Sequence, residues 1–319
     1  MGAPEVERPA LGDRRRSFWR AVALAGVTTA LLPPSPTAFG RLAVIGIPVA
    51  VYVVATQWRR GFSLVFGLSL LVLLLAGLRG ATGADAYLWR GWGLLLGGGF
   101  VVMTSLAPKR TLFTRGLGGI VLAGAVVAGV GLLRPEVVTG IDASVRSQYD
   151  QFFLLVELGA DGWEGATEVL SVMRDVAMAV YPALVGLASL SALCVASYVA
   201  RRLEGVEAAL SPLRWFTFSD HLAWTLIVGL ILLIAPLGAA NARLGGNLVM
   251  FMGGLYVFRG LAVLAWLGTT VVSAGWWIVV WVLAAVLFYP VTLGTALVMG
   301  LSDTWLDLRS GFGVESGAE

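Results

Sequence analysis

Apolar runs recur along this chain at close to the length that crosses a bilayer, and nothing else constrains its fold as much. The runs are Phe18–Leu32, Arg41–Gln57, Phe62–Leu78, Leu88–Ala107, Leu117–Leu133, Met178–Ala200, Leu222–Leu237, Leu248–Leu267 and Trp276–Leu301. An α-helix rises about 1.5 Å per residue and the hydrocarbon core is about 30 Å thick, so roughly 17–25 residues span it. Charged residues make up 13% of the chain, about half the usual share of a soluble domain, which is too little to cover a water-facing surface. Inside lipid every backbone N–H and C=O must be paired within the protein, which leaves helices for runs of this length. The expected fold is therefore all-α: a polytopic transmembrane helix bundle of about nine spans. The number becomes eight to ten if the first hairpin is re-entrant or the last run breaks at Pro290.

The expected organisation is a basic cytoplasmic tail over residues 1–17, a single transmembrane domain over 18–309, and a disordered tail over 310–319. Arg14, Arg15 and Arg16 before Phe18–Leu32 give the layout shared by signal peptides and first spans, and the spans that follow favour the latter. Lysine and arginine accumulate on the cytoplasmic side of a membrane. With the N-terminus inside, the inner segments hold thirteen such residues and the outer loops seven. The chain is thus expected to start inside, in a bacterial cytoplasmic membrane.

The segment 134–175 is expected to be an external acidic loop. It holds eight acidic residues against Arg134, Arg146 and Arg174. Within it Ile141, Val145, Tyr149, Phe152, Phe153 and Val156 recur at helical spacing, which predicts an amphipathic helix lying on the membrane or capping the bundle. Glycines at 97–99, 118, 119, 124, 129 and 131 lie inside spans, where small residues let helices touch. Leu117–Leu133 is expected to pack through this face, with Gly124 at the contact and Gly116 at the membrane edge.

Among the polar residues, Arg259 is the sharpest signal. It lies within Leu248–Leu267, and a charge there costs at least about 2.5–3.5 kcal/mol unless a carboxylate or a polar cavity receives it. Asp303, Asp307 and Asp220 are the candidate partners, Asp303 first. Asn247, at the edge of the same run, joins them as a candidate buried polar or ligand-binding residue. If the last two runs form a simple antiparallel hairpin, Asp303 falls about 15 Å from Arg259 along the axis. Contact then requires a break at Pro290. Asp303 and Asp307 share a helical face, as residues four apart do. Ser219-Asp220-His221 looks like a triad written in sequence, but adjacent residues rarely converge on one atom, and an N-cap for the following span is the better reading.

Several function classes fall away. His221 is the only histidine and Cys194 the only cysteine, so a Cys/His metal site lacks ligands and no cofactor is expected. No basic, aromatic-interleaved stretch suits nucleic acid. No credible nucleophile and base pair is present, so no enzymatic activity is expected. The lipid bilayer is the evident partner. A second membrane protein would dock through Ala21 and Ala25, small residues four apart in the first span, or through the 134–175 loop.

The succession Phe216-Thr217-Phe218-Ser219-Asp220-His221-Leu222-Ala223-Trp224, then Asn247-Leu248, then Leu255-Tyr256-Val257-Phe258-Arg259-Gly260, then Gly300 to Arg309, resembles the YybS-like family of uncharacterised bacterial membrane proteins. The layout also looks distantly similar to the substrate-binding components of energy-coupling-factor transporters. The resemblance implies a transport-related or small-molecule-binding membrane component. The alternative is a membrane scaffold without a ligand, and an enclosed polar cavity would separate the two.

Overall fold

The computed structural model describes residues 84–107, 110–159, 166–203, 216–236, 238–271, 287–306 and 308. The first three apolar runs, both tails, Ala21, Ala25 and Asp307 lie outside them. Every regular element among the described residues is helical: α1 (Ala84–Leu106), α2 (Leu112–Leu133), α3 (Pro135–Gly159), α4 (Ala166–Leu203), a 3-10 turn (Asp220–Leu222), α5 (Ala223–Ile234), α6 (Ala239–Val271) and α7 (Tyr289–Leu306). Among the described residues three stretches are long and apolar enough to cross a membrane: Leu112–Leu133, Glu168–Cys194 and Ala239–Leu267.

Local chemistry sets the boundaries. Thr111 caps α2, its hydroxyl accepting from the Thr114 N–H at 3.3 Å. Arg134 closes α2, donating its N–H to the Val130 carbonyl at 2.8 Å, and Pro135 opens α3 where a missing N–H costs nothing. Gly238, at φ +96°, makes the turn between α5 and α6 in a backbone region open mainly to glycine.

Two expectations about length need correction. Leu222–Leu237 yields only the 12-residue α5, about 18 Å long, because Pro236 and Gly238 end it early. The loop 134–175 is not one linker. α4 begins at Ala166 and runs unbroken through the apolar stretch that follows, so residues 166–175 are its first turns.

The described residues fall into two compact units. The first holds α1, α2, α3 and the two ends of α4; the second holds the middle of α4, Ala179–Leu187, with α5, α6 and α7. In the first unit α1 and α2 touch backbone to backbone. A Cβ built on Gly99 would stand 2.8 Å from the Gly119 carbonyl oxygen, and one on Gly119 would stand 3.0 Å from the Phe100 nitrogen. Leu96 and Phe100 are fully enclosed beside this crossing. Trp92 donates its indole N–H to the Ser189 hydroxyl at 2.9 Å, joining α1 to α4.

The glycine face of α2 is therefore used, but not where spacing alone placed it. Gly124 meets nothing within 4 Å among the described residues, while Gly116, expected at a free edge, is buried under Leu190 and Leu193. Gly119→Val should accordingly lower thermal stability in detergent sharply, since no side chain fits between touching backbones. Gly124→Leu should leave the melting profile close to wild type, and an equal loss in both would contradict this packing.

In the second unit α5 and α6 form a tight antiparallel pair. A Cβ on Gly229 would meet Leu248 Cβ at 2.9 Å, and one on Gly245 would meet the Leu233 nitrogen at 2.6 Å. α6 and α7 approach more closely still. A Cβ on Gly260 would overlap the Ala296 carbonyl oxygen, and one on Gly300 would overlap that of Tyr256.

Candidate functional site

The close crossing of α6 and α7 places Arg259 beside Asp303. Arg259 donates through Nε to Asp303 Oδ2 at 2.8 Å and through Nη2 to the Asp303 main-chain carbonyl at 3.1 Å. The side chains are 8% and 0% exposed, so both charges have left water and depend on each other. Helical side chains lean toward their own N-terminus. In antiparallel helices with Tyr256 facing Gly300, Arg259 leans toward α7's later turns and Asp303 leans back toward it. This lean closes much of the offset expected from sequence. In addition, a turn at Phe288 precedes α7 and Pro290 sits in its first turn, so the register of the last helix is set afresh there.

A non-helical strap, residues 216–219, packs against Arg259 and leads into the 3-10 turn. The Phe218 ring lies 5.5 Å from the Arg259 guanidinium carbon, in the range of a cation–π contact. It packs edge-on against the buried Tyr256 ring at 5.2 Å. Asp220 Oδ1 stands 3.7 Å from Arg259 Nη1, its side chain 76% exposed. The distance is too long for a hydrogen bond, and Nη1 makes none among the described residues. Asp220 thus gives the arginine a second, looser counter-charge. The N-cap role expected here is not formed: Ser219 occupies the cap position without a side-chain bond, and the Asp220 carboxylate turns to Arg259. His221 is exposed, and no three-way Ser–His–Asp arrangement appears among the described contacts.

Asn247 does something different. Its Oδ1 accepts from the Ala183 N–H at 2.9 Å, and its Nδ2 donates to the Ala179 and Arg243 carbonyls, both at 2.8 Å. Ala183 and Ala179 are the i and i−4 partners that a regular helix joins directly. They flank Pro182, the proline inside α4, whose ring disturbs the ladder at this turn. The carboxamide therefore enters the helix beside its proline and satisfies both groups. Arg243 stacks over Tyr181 at 5.6 Å one turn away. Asn247→Leu should destabilise the protein by about 2–4 kcal/mol, since it strands a donor and an acceptor away from water. Asn247→Asp, which loses the Nδ2 donor, should recover little of this. Wild-type stability of the leucine variant in detergent melting would contradict the role.

Of the sequence-predicted residues, Arg259, Asp303 and Asp220 come together, whereas Asn247 lies 12 positions earlier on α6 in its own network. Phe218 and Tyr256 were named only within the segments that carry the resemblance, and Pro182 was not singled out. The two aromatics look like ordinary belt or core residues until the strap is seen to fold back, and Pro182 gains meaning only from Asn247. No grouping of three or more His, Cys, Asp or Glu suited to a metal ion occurs among the described residues. Chemically, the cluster offers a fixed cation held between a buried carboxylate and an exposed one.

A family described as "Predicted membrane protein (DUF2232)" matches residues 21–304. No curated protein and no solved structure matches the chain.

Proposed function

Because the chain belongs to the DUF2232 family of predicted membrane proteins, we propose that it is a transport-related or small-molecule-binding component of the bacterial cytoplasmic membrane, with the Arg259 cluster as its ligand or coupling site. One observation carries this reading. A non-helical strap comes to rest on a guanidinium that lies within an apolar helix. Irregular backbone at membrane depth persists only where protein buries it or where it lines a cavity. Transporters build their substrate sites at such interruptions. The YybS-like resemblance, and through it the distant similarity to energy-coupling-factor components, agrees with this reading. Docking of a partner through Ala21 and Ala25 or through the 134–175 segment belongs to the same picture. In it the transmembrane region runs over 18–309 in about nine spans, and no catalytic step is assigned.

The test is native mass spectrometry of the full chain released from membranes with its lipids. A small molecule retained by the wild type and lost from Arg259→Gln supports a binding component. Wild-type protein that is folded but carries no small molecule favours the scaffold reading instead. The arginine asymmetry places the N-terminus inside and the segment after α3 outside. With Cys194 replaced by serine, Gly162→Cys should react with a membrane-impermeant maleimide in intact cells. Labelling only after lysis would reverse the orientation.

A further inference from the structure

We propose that α3 is divided in its role: its first half caps the helices of its own unit, and its second half is embedded in the lipid interface through Phe152 and Val156. The first half is packed. Ser144 and Val145 are buried, and Val138 lies against Gly131 at the end of α2. At 100° per residue, Val138, Ile141, Val145, Phe152 and Val156 share one face. That face continues past the packed part, yet Phe152 is 50% exposed and Val156 37%. The T-shaped pair of Phe152 with Phe153, at 5.5 Å, makes this end strongly apolar.

Three observations identify lipid as the occupant. α3 starts one residue after α2, a helix apolar and long enough to cross the membrane, and the last residues of α2, Leu132 and Leu133, are 86% and 85% exposed. The N-terminus of α3 is therefore held at a bilayer boundary by the chain itself. Its later part is held there too, because Arg174 of α4 pairs with Asp150 at 3.5 Å. Beside that pair α4 presents Val169, Val172, Met173 and Val176, all exposed, at the i, i+3, i+4, i+7 spacing of a single helix face. This stripe belongs to the stretch Glu168–Cys194 that is apolar enough to span. The second half of α3 thus runs beside a lipid-facing stripe at the same depth. Its opposite face carries Arg146, Ser147, Asp150 and Gln151, all exposed, as an interfacial helix requires.

The experiment is spin-label accessibility on the full chain in proteoliposomes, in a Cys194→Ser background whose melting profile matches wild type. Labels are placed singly through Phe152→Cys, Val156→Cys, Ser147→Cys and Gln151→Cys. Positions 152 and 156 should be several-fold more accessible to oxygen than to a water-soluble nickel chelate, with the reverse at 147 and 151. Chelate access at all four positions would overturn the proposal by placing the helix in water. Shielding of 152 and 156 from both reagents would also overturn it, because protein rather than lipid would then cover this face.

Discussion

Asp303→Asn should be among the most damaging single conservative substitutions in this protein, lowering stability in detergent by about 3–5 kcal/mol, the cost of breaking a buried ion pair from one side. Against a total of about 5–15 kcal/mol for a folded protein, that is a large fraction. Asparagine keeps the shape and one acceptor for Arg259 Nε, so the change isolates the charge. Arg259→Gln should cost less, for a chemical reason. A carboxyl stranded in an apolar site can take up a proton, whereas a guanidinium cannot shed one. Asp220, 3.7 Å away and mostly exposed, replaces little of what Asp303 supplies, since exposed pairs contribute about 0–1 kcal/mol. The double variant should be more stable than Asp303→Asn alone, with a coupling of at least about 1.5 kcal/mol, because neither charge is left unmatched. A coupling near zero would mean that the pair does not join α6 to α7.

The importance of Arg259 was legible in the sequence because a lone arginine in an apolar run has few ways to avoid its desolvation cost. Asp303 followed as the nearest carboxylate in the final helix. The geometry of their meeting was not legible. Counting residues through a straight hairpin ignores both the lean of helical side chains and the fresh start of α7 after Phe288. Asn247 shows a different limit. Its polarity marked it, but its work is defined by Pro182, which lies 65 positions earlier and looks like an ordinary kink until the two are placed together. Composition has the same weakness for glycine. With 41 glycines in the chain, spacing identified a small-residue face on α2 but could not choose Gly119 over Gly124. That choice depends on what the neighbouring helix presents. Likewise, the acidic content of 134–175 suggested a single loop, while the next helix long and apolar enough to cross a membrane begins inside it at Ala166, since helix formation answers to pairing and packing rather than to charge count.

The crossing that carries the ion pair should be intolerant of any side chain at Gly260. A methyl group there would overlap the Ala296 carbonyl oxygen, and the reciprocal overlap exists between Gly300 and Tyr256. Backbone offers no rotamer through which to yield, so even Gly260→Ala must push α7 away from α6. Separation weakens the contact between Arg259 and Asp303, because the guanidinium spans the same crossing. Two costs therefore combine, lost packing and an ion pair pulled apart, and together they should exceed about 3 kcal/mol. The internal control is Gly294→Ala on the partner helix α7. Gly294 is exposed and meets nothing within 4 Å among the described residues, so alanine there should be neutral or stabilising by up to about 1 kcal/mol from helix propensity. The same chemical change thus has opposite expected signs at two glycines, and detergent melting of the two variants reads the sign directly. If Gly260→Ala melts at or above wild type, the backbones do not touch and the burial of Arg259 must have another cause. If it melts far below while Gly294→Ala does not, the crossing and the ion pair form one structural unit, and a ligand acting on Arg259 would act on the packing of α6 against α7 as well.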